Sequence, residues 1–237
     1  NRAHQSDIGG GAAGTYNPEA TEIFHEGIRL PPLKLIERGT VRQDLWNLLL
    51  LNSRTPDLLD GDLLAMLGST RIGMERLQGL VADLGLDGAL ACFEGVLEHG
   101  DRMMRGCLAE TPDGIWRGSD TTENDCFTDI RTEINVALMV KDNAVTVDFT
   151  GTGPQMKGFK NSSIANTMSA TYMALASFFP ENLPRNEGTF RSVTLVMPEG
   201  SAVNPRPPAP MTMNTVFITH QIIHAIWQAL SDARPEL

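Results

Sequence analysis

Near its start the chain carries His4 and Asp7, three residues apart, running directly into Gly9, Gly10 and Gly11. A histidine and an aspartate at this spacing can converge on one cation from a turn or a helical start. Glycines behind them let backbone pass close to whatever sits there. Neutral imidazole and carboxylate suit Zn, Mn or Fe, and a site with few protein ligands keeps a position open for water or substrate. The plainer alternative is a histidine bonded to a loop carbonyl, with Asp7 capping a turn. His25 is a third candidate ligand, with Glu26 beside it as a base or as a support for the ligands; an exposed polar residue at a helix end is the competing reading.

Other constellations are weaker. Gly9-x-Gly11-x-x-Gly14 matches the dinucleotide fingerprint in form, but no strand is predicted before it and no helix after it. No phosphate-loop motif with Lys-Ser/Thr is present, so any ATP chemistry is expected from another chain or from a missing part. His220 and His224 share a helix face at zinc-compatible spacing, yet their apolar neighbours Ile222, Ile223 and Trp227 point to partly buried, hydrogen-bonded histidines. Asp148 to Gly153 is a strand running into a tight turn, able to offer amides to an anion or simply to leave the sheet. Asn161-Ser162-Ser163 reads as a helix cap.

The elements that must position these residues follow from periodicity. Residues 1–40 are Gly- and Pro-rich, with a short strand at Leu33 to Ile36 ending at Gly39. Residues 41–112 are helical. One stripe runs through Val41, Leu45, Leu48 and Leu49, a second through Leu77, Leu80, Val81 and Leu84 to Gly85, and a third through Leu90, Phe93, Leu97, Met104 and Leu108. Cys92 and Cys107 fall on or beside this last stripe and read as core. Residues 113–237 mix strands and helices: a hairpin from Ile134 to Phe149 turning at Asp142-Asn143, a helix over 162–179, a strand over 190–197 and a helix over 215–230. Helices first and mixed elements afterwards predict an α+β fold: a loop-rich N-terminal metal segment, a helical middle, and a C-terminal region of strands and helices.

Size and composition bound the function. A chain of 237 residues can bury roughly 70% of its unfolded surface, enough for a core without staples. A net charge of −10 argues against nucleic acid. No apolar run approaches membrane-spanning length. Three cysteines without Cys-x-x-Cys spacing exclude a disulfide framework and predict a reducing, cytoplasmic setting.

Laid in order, several stretches resemble the hydantoinase B/oxoprolinase family, which includes the corresponding subunits of acetone and acetophenone carboxylases. They are Asn1-Arg-Ala-His-x-x-Asp-Ile-Gly-Gly10, Glu22-Ile-Phe-x-Glu-Gly-Ile-Arg-Leu-Pro-Pro32, Asn52-Ser-Arg-Thr-Pro56, Val147-Asp-Phe-Thr-Gly-Thr152, and Pro198-Glu-Gly-Ser201 through Asn204-Pro-Arg-Pro-Pro208. The resemblance implies one subunit of a cytoplasmic hetero-oligomer. In it a hydantoinase A-type partner binds ATP and phosphorylates a cyclic amide or an enolisable ketone, and this subunit holds a divalent metal and completes hydrolysis or carboxylation. It implies His4 and Asp7 as metal ligands, His25 as a further ligand, and additional donors upstream of Asn1. Family members are longer than this chain, so it also implies an internal piece of a larger subunit, inactive alone. The loop Gly11 to Tyr16 departs from the family pattern. A subunit that only scaffolds the ATP-binding partner is the alternative, and small residues such as Ala170 and Ala174 on the helix over 164–177 suit packing against either a partner or the chain's own core.

Overall fold

The computed structural model describes residues 3–236. The predicted α+β class holds. The described residues up to Leu35 form no regular element beyond two 3-10 turns, at Ala13–Thr15 and Ile23–His25. A small hairpin follows, β1 (Ile36–Glu37) with β2 (Thr40–Val41). Its turn places Arg38 and Gly39 at positive φ, 51° and 80°, which matches strand twist across a two-residue loop.

Two helices make the middle region. Helix α1 (Gln43–Leu51) packs Trp46 against Leu59 and Leu63 of α2 (Pro56–Ala109), and the indole Nε1 donates to Asp60 Oδ1 at 2.7 Å. Pro56 opens α2 where no helical N–H is needed. The predicted stop at Gly85 appears as a break inside one 54-residue helical run: Gly85 sits at φ 71°, ψ 164°, and splits α2 into two legs. The last turns of the second leg bury Gly100, Met104 and Leu108 against the sheet region, but Cys92 is exposed, contrary to its core assignment, because it lies on a face of that leg that nothing covers among the described residues.

The C-terminal half is a four-stranded sheet, β3 (Gly114–Thr122), β4 (Thr132–Lys141), β5 (Ala144–Asp148) and β6 (Val193–Val196), in that spatial order. The first two pairings are antiparallel. The β4–β5 turn sits at Asp142 and Asn143, both at positive φ. β6 runs parallel to β5 after a crossover through α3 (Ile164–Phe178), which Ser163 caps by accepting the Asn166 N–H at 3.1 Å. Strict alternation of buried and half-buried residues along β4 sets one face inward. Against that face lies α5 (Thr219–Ala233), preceded by the one-turn α4 (Asn214–Phe217); the single helix predicted over 215–230 is interrupted at Ile218. Residues Ile134, Leu138, Val147, Phe149, Leu175, Ile222, Ile226 and Leu230 are almost wholly removed from solvent. Each contributes about 1.5–3 kcal/mol of apolar burial.

Strand β3 was not legible from periodicity, since its inward side mixes Gly114, Gly118, Asp120 and Thr122 with a single large apolar residue, Trp116. A Cβ on Gly118 would lie 1.9 Å from the Ala225 carbonyl oxygen, so α5 rests directly on β3 backbone. The strand expected over 190–197 begins only at Val193, after a 3-10 turn at Gly188–Phe190. No helix among the described residues is long and apolar enough to cross a membrane.

Candidate functional site

The N-terminal segment owes its order to polar contacts. Residues 8–11 run beside residues 25–28 and exchange two backbone bonds, Gly11 N–H to His25 O and Ile28 N–H to Ile8 O, both at 2.9 Å. The two strips touch because they carry glycine where they meet. A Cβ on Gly10 would lie 2.7 Å from His25 O, and one on Gly27 would lie 2.7 Å from the Ile8 side chain.

Arg54 organises this strip. It lies in the four-residue link between α1 and α2, so two helix ends aim it. Its backbone N–H donates to Asp7 Oδ2, and its guanidinium donates to Asp7 Oδ1 (2.9 Å), Gly10 O (2.6 Å) and, at 3.4 Å each, Gly9 O and Ala12 O. One planar fork therefore gathers a carboxylate and three carbonyls. Asp7 is 2% exposed. The Arg54 amide, then the guanidinium and its charge, hold the Asp7 carboxyl below the usual aspartate range, although burial works the other way.

Glu26 makes the second clamp. Its Oε1 accepts the N–H groups of Met211 and of Thr212 (2.7 Å), and Ile23 N–H donates to Pro208 O at 2.7 Å. These bonds tie the 23–28 strip to a loop about 185 residues further along the chain. Burial pushes the Glu26 carboxyl up, against the pull of the two amides. A cavity of about 210 Å³ opens beside it, lined by Ile8, Glu26, Arg29, Thr212 and Met213. Asp7 and Glu26 are thus two carboxyls of one corner whose environments drive them apart: a fixed anion on Arg54, and a group readier to take up a proton, the division that acid–base chemistry uses.

The structure places the sequence candidates as follows. His4 is exposed. His25 is exposed, and its Nδ1 accepts the Thr21 N–H at 3.3 Å, which leaves the neutral ring's proton on Nε2. Both Asp7 oxygens are engaged by Arg54. Among the described residues no group of three or more His, Cys, Asp or Glu side chains is gathered to hold a metal ion. The donor types suit a divalent cation, but as arranged here His4, Asp7 and His25 do not form a site for one. Gly9 to Gly14 has no strand before it and only a 3-10 turn after it, so it is not a dinucleotide loop. His220 and His224 are exposed rather than partly buried, because the packed stripe of α5 runs through Ile222, Ile226 and Leu230 on its other side; His224 Nδ1 lies 3.1 Å from Asp120 Oδ2. The Asp148 turn closes on itself, Asp148 Oδ1 accepting Thr150 N–H at 2.8 Å. Asn161 is wholly buried and bonds Met156, Gly158 and Pro210 backbone, a structural role.

Sequence reasoning passed over Arg54 as part of a motif and named Glu26 only as an accessory. The available signal was an arginine held in a short break between two helices, in a chain whose glycine loop needs a donor for its carbonyls.

The hydantoinase B/oxoprolinase family pattern matches residues 1–237. The chain is similar to the beta subunit of the caprolactamase of Pseudomonas jessenii, 34% identical over 99% of this chain and 40% of that protein. It is also similar to an uncharacterized protein of Methanocaldococcus jannaschii, 31% identical over 100% of this chain and 41% of that one. The B-type subunit of a putative D-/L-hydantoinase of Pseudomonas sp. (strain NS671) is 31% identical over 88% of this chain and 37% of that one. The crystal structure of the ATP-dependent caprolactamase from Pseudomonas jessenii superposes with a TM-score of 0.92 over 98% of this chain and 40% of that chain. Acetone carboxylase in its nucleotide-free form shares the fold, with a TM-score of 0.86 at 17% identity over 99% of this chain and 32% of that one. The chain thus spans about two fifths of the length of the curated relatives it matches most fully. With the whole of its length matched and its folding reproduced in a relative at 34% identity, this chain belongs to the hydantoinase B/oxoprolinase family.

Proposed function

We propose that this chain is part of the B-type subunit of an ATP-dependent enzyme that opens a cyclic amide, working with a hydantoinase A-type partner that binds ATP. One observation carries the reading. Family stretches far apart in sequence, at residues 7–10, 22–28, 52–56 and 204–208, meet with the adjoining loop 209–213 at one corner, where Arg54 and Glu26 clamp them. The identity to a caprolactamase subunit favours amide hydrolysis over ketone carboxylation, for which the fold alone speaks. In this reading the partner transfers a phosphoryl group from ATP to the amide oxygen; at this corner water adds to the amide carbon and the ring C–N bond breaks, and a second water releases phosphate from the resulting acyl phosphate. Asp7 keeps Arg54 and the glycine strip in place. Glu26, poised above the ordinary carboxylate range, carries the proton that the departing nitrogen needs.

The test is the full-length subunit assembled with its ATP-binding partner. Lactam-dependent ATP hydrolysis and ring opening are measured with caprolactam, hydantoin and 5-oxoproline, and acetone carboxylation in parallel. Loss of ring opening in Glu26→Gln, with the complex intact, supports the reading. Unchanged turnover in both Glu26→Gln and a His4/Asp7 double variant that still assembles leaves only the scaffold role. A metal bound through His4, Asp7 and His25 is a separate proposal that needs a rearranged trio or further donors. Elemental analysis of the complex for Zn, Mn and Fe, wild type against His4→Ala, decides it without reference to activity.

A further inference from the structure

Among the described residues, five other than glycine take positive φ: Arg38, Cys126, Asp142, Asn143 and Met213. Four have a local reason. Arg38, Asp142 and Asn143 turn hairpins, where strand twist asks for that backbone. Cys126 follows Asn124 and Asp125, whose side-chain oxygens accept the Cys126 and Phe127 N–H groups at 3.2 and 2.9 Å and so shape the turn. Met213 has no such reason. It sits at φ 53°, ψ 26°, the left-handed region, where a Cβ crowds the following carbonyl and glycine or asparagine is the usual occupant. It is also where α4 starts: its carbonyl accepts the Val216 and Phe217 N–H groups at 2.9 and 3.1 Å, while its side chain caps nothing. An asparagine there would ease the backbone and cap the turn as well. Two local rules thus oppose methionine, and a residue that breaks local rules points to work done by its side chain.

That side chain lines the cavity of about 210 Å³ beside Glu26. The two residues before it, Met211 and Thr212, are those whose N–H groups Glu26 Oε1 accepts, so the clamp that holds Glu26 also fixes where Met213 stands. Ile8, Ile23 and Ile28 supply further apolar wall. The volume equals the liquid share of about seven water molecules, room for one small lactam ring and little more. Methionine is unbranched and fills an irregular gap with little strain of its own, so its reach decides how much of that room a ring can take.

We propose that Met213 is the specificity-determining residue of this corner: its side chain sets how large a lactam ring the cavity admits beside Glu26. The inference rests on the ring-opening reading above, and the experiment keeps the two apart by measuring binding as well as turnover. The full-length subunit, assembled with its ATP-binding partner, is compared as wild type, Met213→Gly and Met213→Leu on unsubstituted lactams of rising ring size: pyrrolidinone, valerolactam, caprolactam and enantholactam. Calorimetry without ATP gives Kd for each ring, and ring opening with ATP gives kcat and KM. Met213→Gly should hold the thermal midpoint, because relief of the left-handed backbone offsets the added freedom of the unfolded chain. It should nonetheless raise the preference for enantholactam over pyrrolidinone at least about tenfold, the low end of the discrimination that one methylene brings in an apolar pocket, with the change in KM rather than in kcat. Met213→Leu conserves volume and should keep the wild-type preference. A preference unmoved by Met213→Gly in binding and turnover alike overturns the proposal, as does a wild type that binds none of the rings. Binding whose ring preference moves with Met213, in a complex that opens no ring, upholds the role of Met213 and refutes the ring-opening reading instead.

Discussion

The sheet with its two helices and the corner around Arg54 are held by opposite means. In the first, β4 and β5 offer an inward row of Ile134, Leu138 and Val147, and α5 returns Ile222, Ile226 and Leu230. Stability there comes from area removed from water and is spread over many side chains. In the second, irregular backbone is ordered by one guanidinium and one carboxylate, each serving several groups. A distributed apolar core sets the global stability, and a corner with few apolar contacts opens locally long before the core does. The sharpest way to break the contrast is to injure each side separately. Ile226→Ala leaves a cavity in a fully buried site and should cost the full-length subunit about 3–4 kcal/mol of unfolding free energy, seen as a lowered denaturation midpoint, with backbone exchange in residues 8–28 changing only in step with the global loss.

The opposite experiment is Arg54→Met. It takes the guanidinium from the Asp7 carboxylate, 2% exposed, leaving it only backbone N–H donors such as that of residue 54, and frees the carbonyls of Gly9, Gly10 and Ala12. Hydrogen exchange at the Gly11 and Ile28 amides should accelerate at least about tenfold, which corresponds to about 1.4 kcal/mol of local opening, while the global transition hardly moves. Arg54→Lys should not restore protection, since a single ammonium cannot span the carboxylate and three carbonyls as a planar fork does. A global midpoint shift as large as that of Ile226→Ala would show that the corner and the core are one cooperative unit.

The two regions also differed in how far they could be read in advance. Apolar alternation through Ile134 to Phe149 and the packed side of α5 announce themselves, because burial acts on residue type at fixed period, whereas the stripes of α2 repeat at helical spacing with Leu77, Leu84, Leu90 and Phe93 exposed. Strand β3 escaped because Gly118 meets α5 through backbone, and a glycine leaves no apolar mark. The break at Ile218 escaped because local propensity through Thr215 to Leu230 favours one helix. At the corner, the residue types that could do chemistry were visible, but which of them meet was not. Asp7 finds Arg54 across 47 residues and Glu26 finds Thr212 across 186, and no local pattern encodes pairings at such separation. Of the trio suggested by spacing and resemblance, Asp7 is bound to Arg54, His4 is exposed and His25 faces a backbone amide, and their service as metal ligands stays a separate proposal.

Acidity sharpens the contrast more gently. Asp7, with its carboxyl lowered on folding, supports the corner at every pH above the ordinary aspartate value of about 3.9 and gives way only as pH falls through its lower folded value. Glu26, with its carboxyl raised, has the reverse sign. Its contribution is complete below the ordinary glutamate value of about 4.3 and is lost as pH rises through the raised folded value. Protection of the Ile28 amide, corrected for intrinsic exchange, should therefore rise as pH is lowered from 7 toward the carboxylate range. Glu26→Gln should flatten that dependence, and a slope that survives the substitution would assign it to another group.

The smallest expected effect comes from an ion pair that looks much like the one at the corner. His224 Nδ1 approaches Asp120 Oδ2 at 3.1 Å, and Arg54 Nη1 approaches Asp7 Oδ1 at 2.9 Å. The settings differ: the Asp120 side chain is 28% exposed and His224 56%, whereas Asp7 is 2% exposed. Water and salt screen the first pair, and an exposed ring loses rotamer freedom to make it. His224→Ala should change global stability by less than about 0.5 kcal/mol and leave exchange at Gly11 and Ile28 untouched. The same chemical contact thus spans the range from local organiser to near-neutral ornament, and the deciding quantity is how much water the carboxylate has lost. Asp120→Asn in parallel isolates that quantity. A loss well above about 0.5 kcal/mol in either variant would mean that the outer face of α5 is drier in the assembled subunit than in this chain, and that something docks on it.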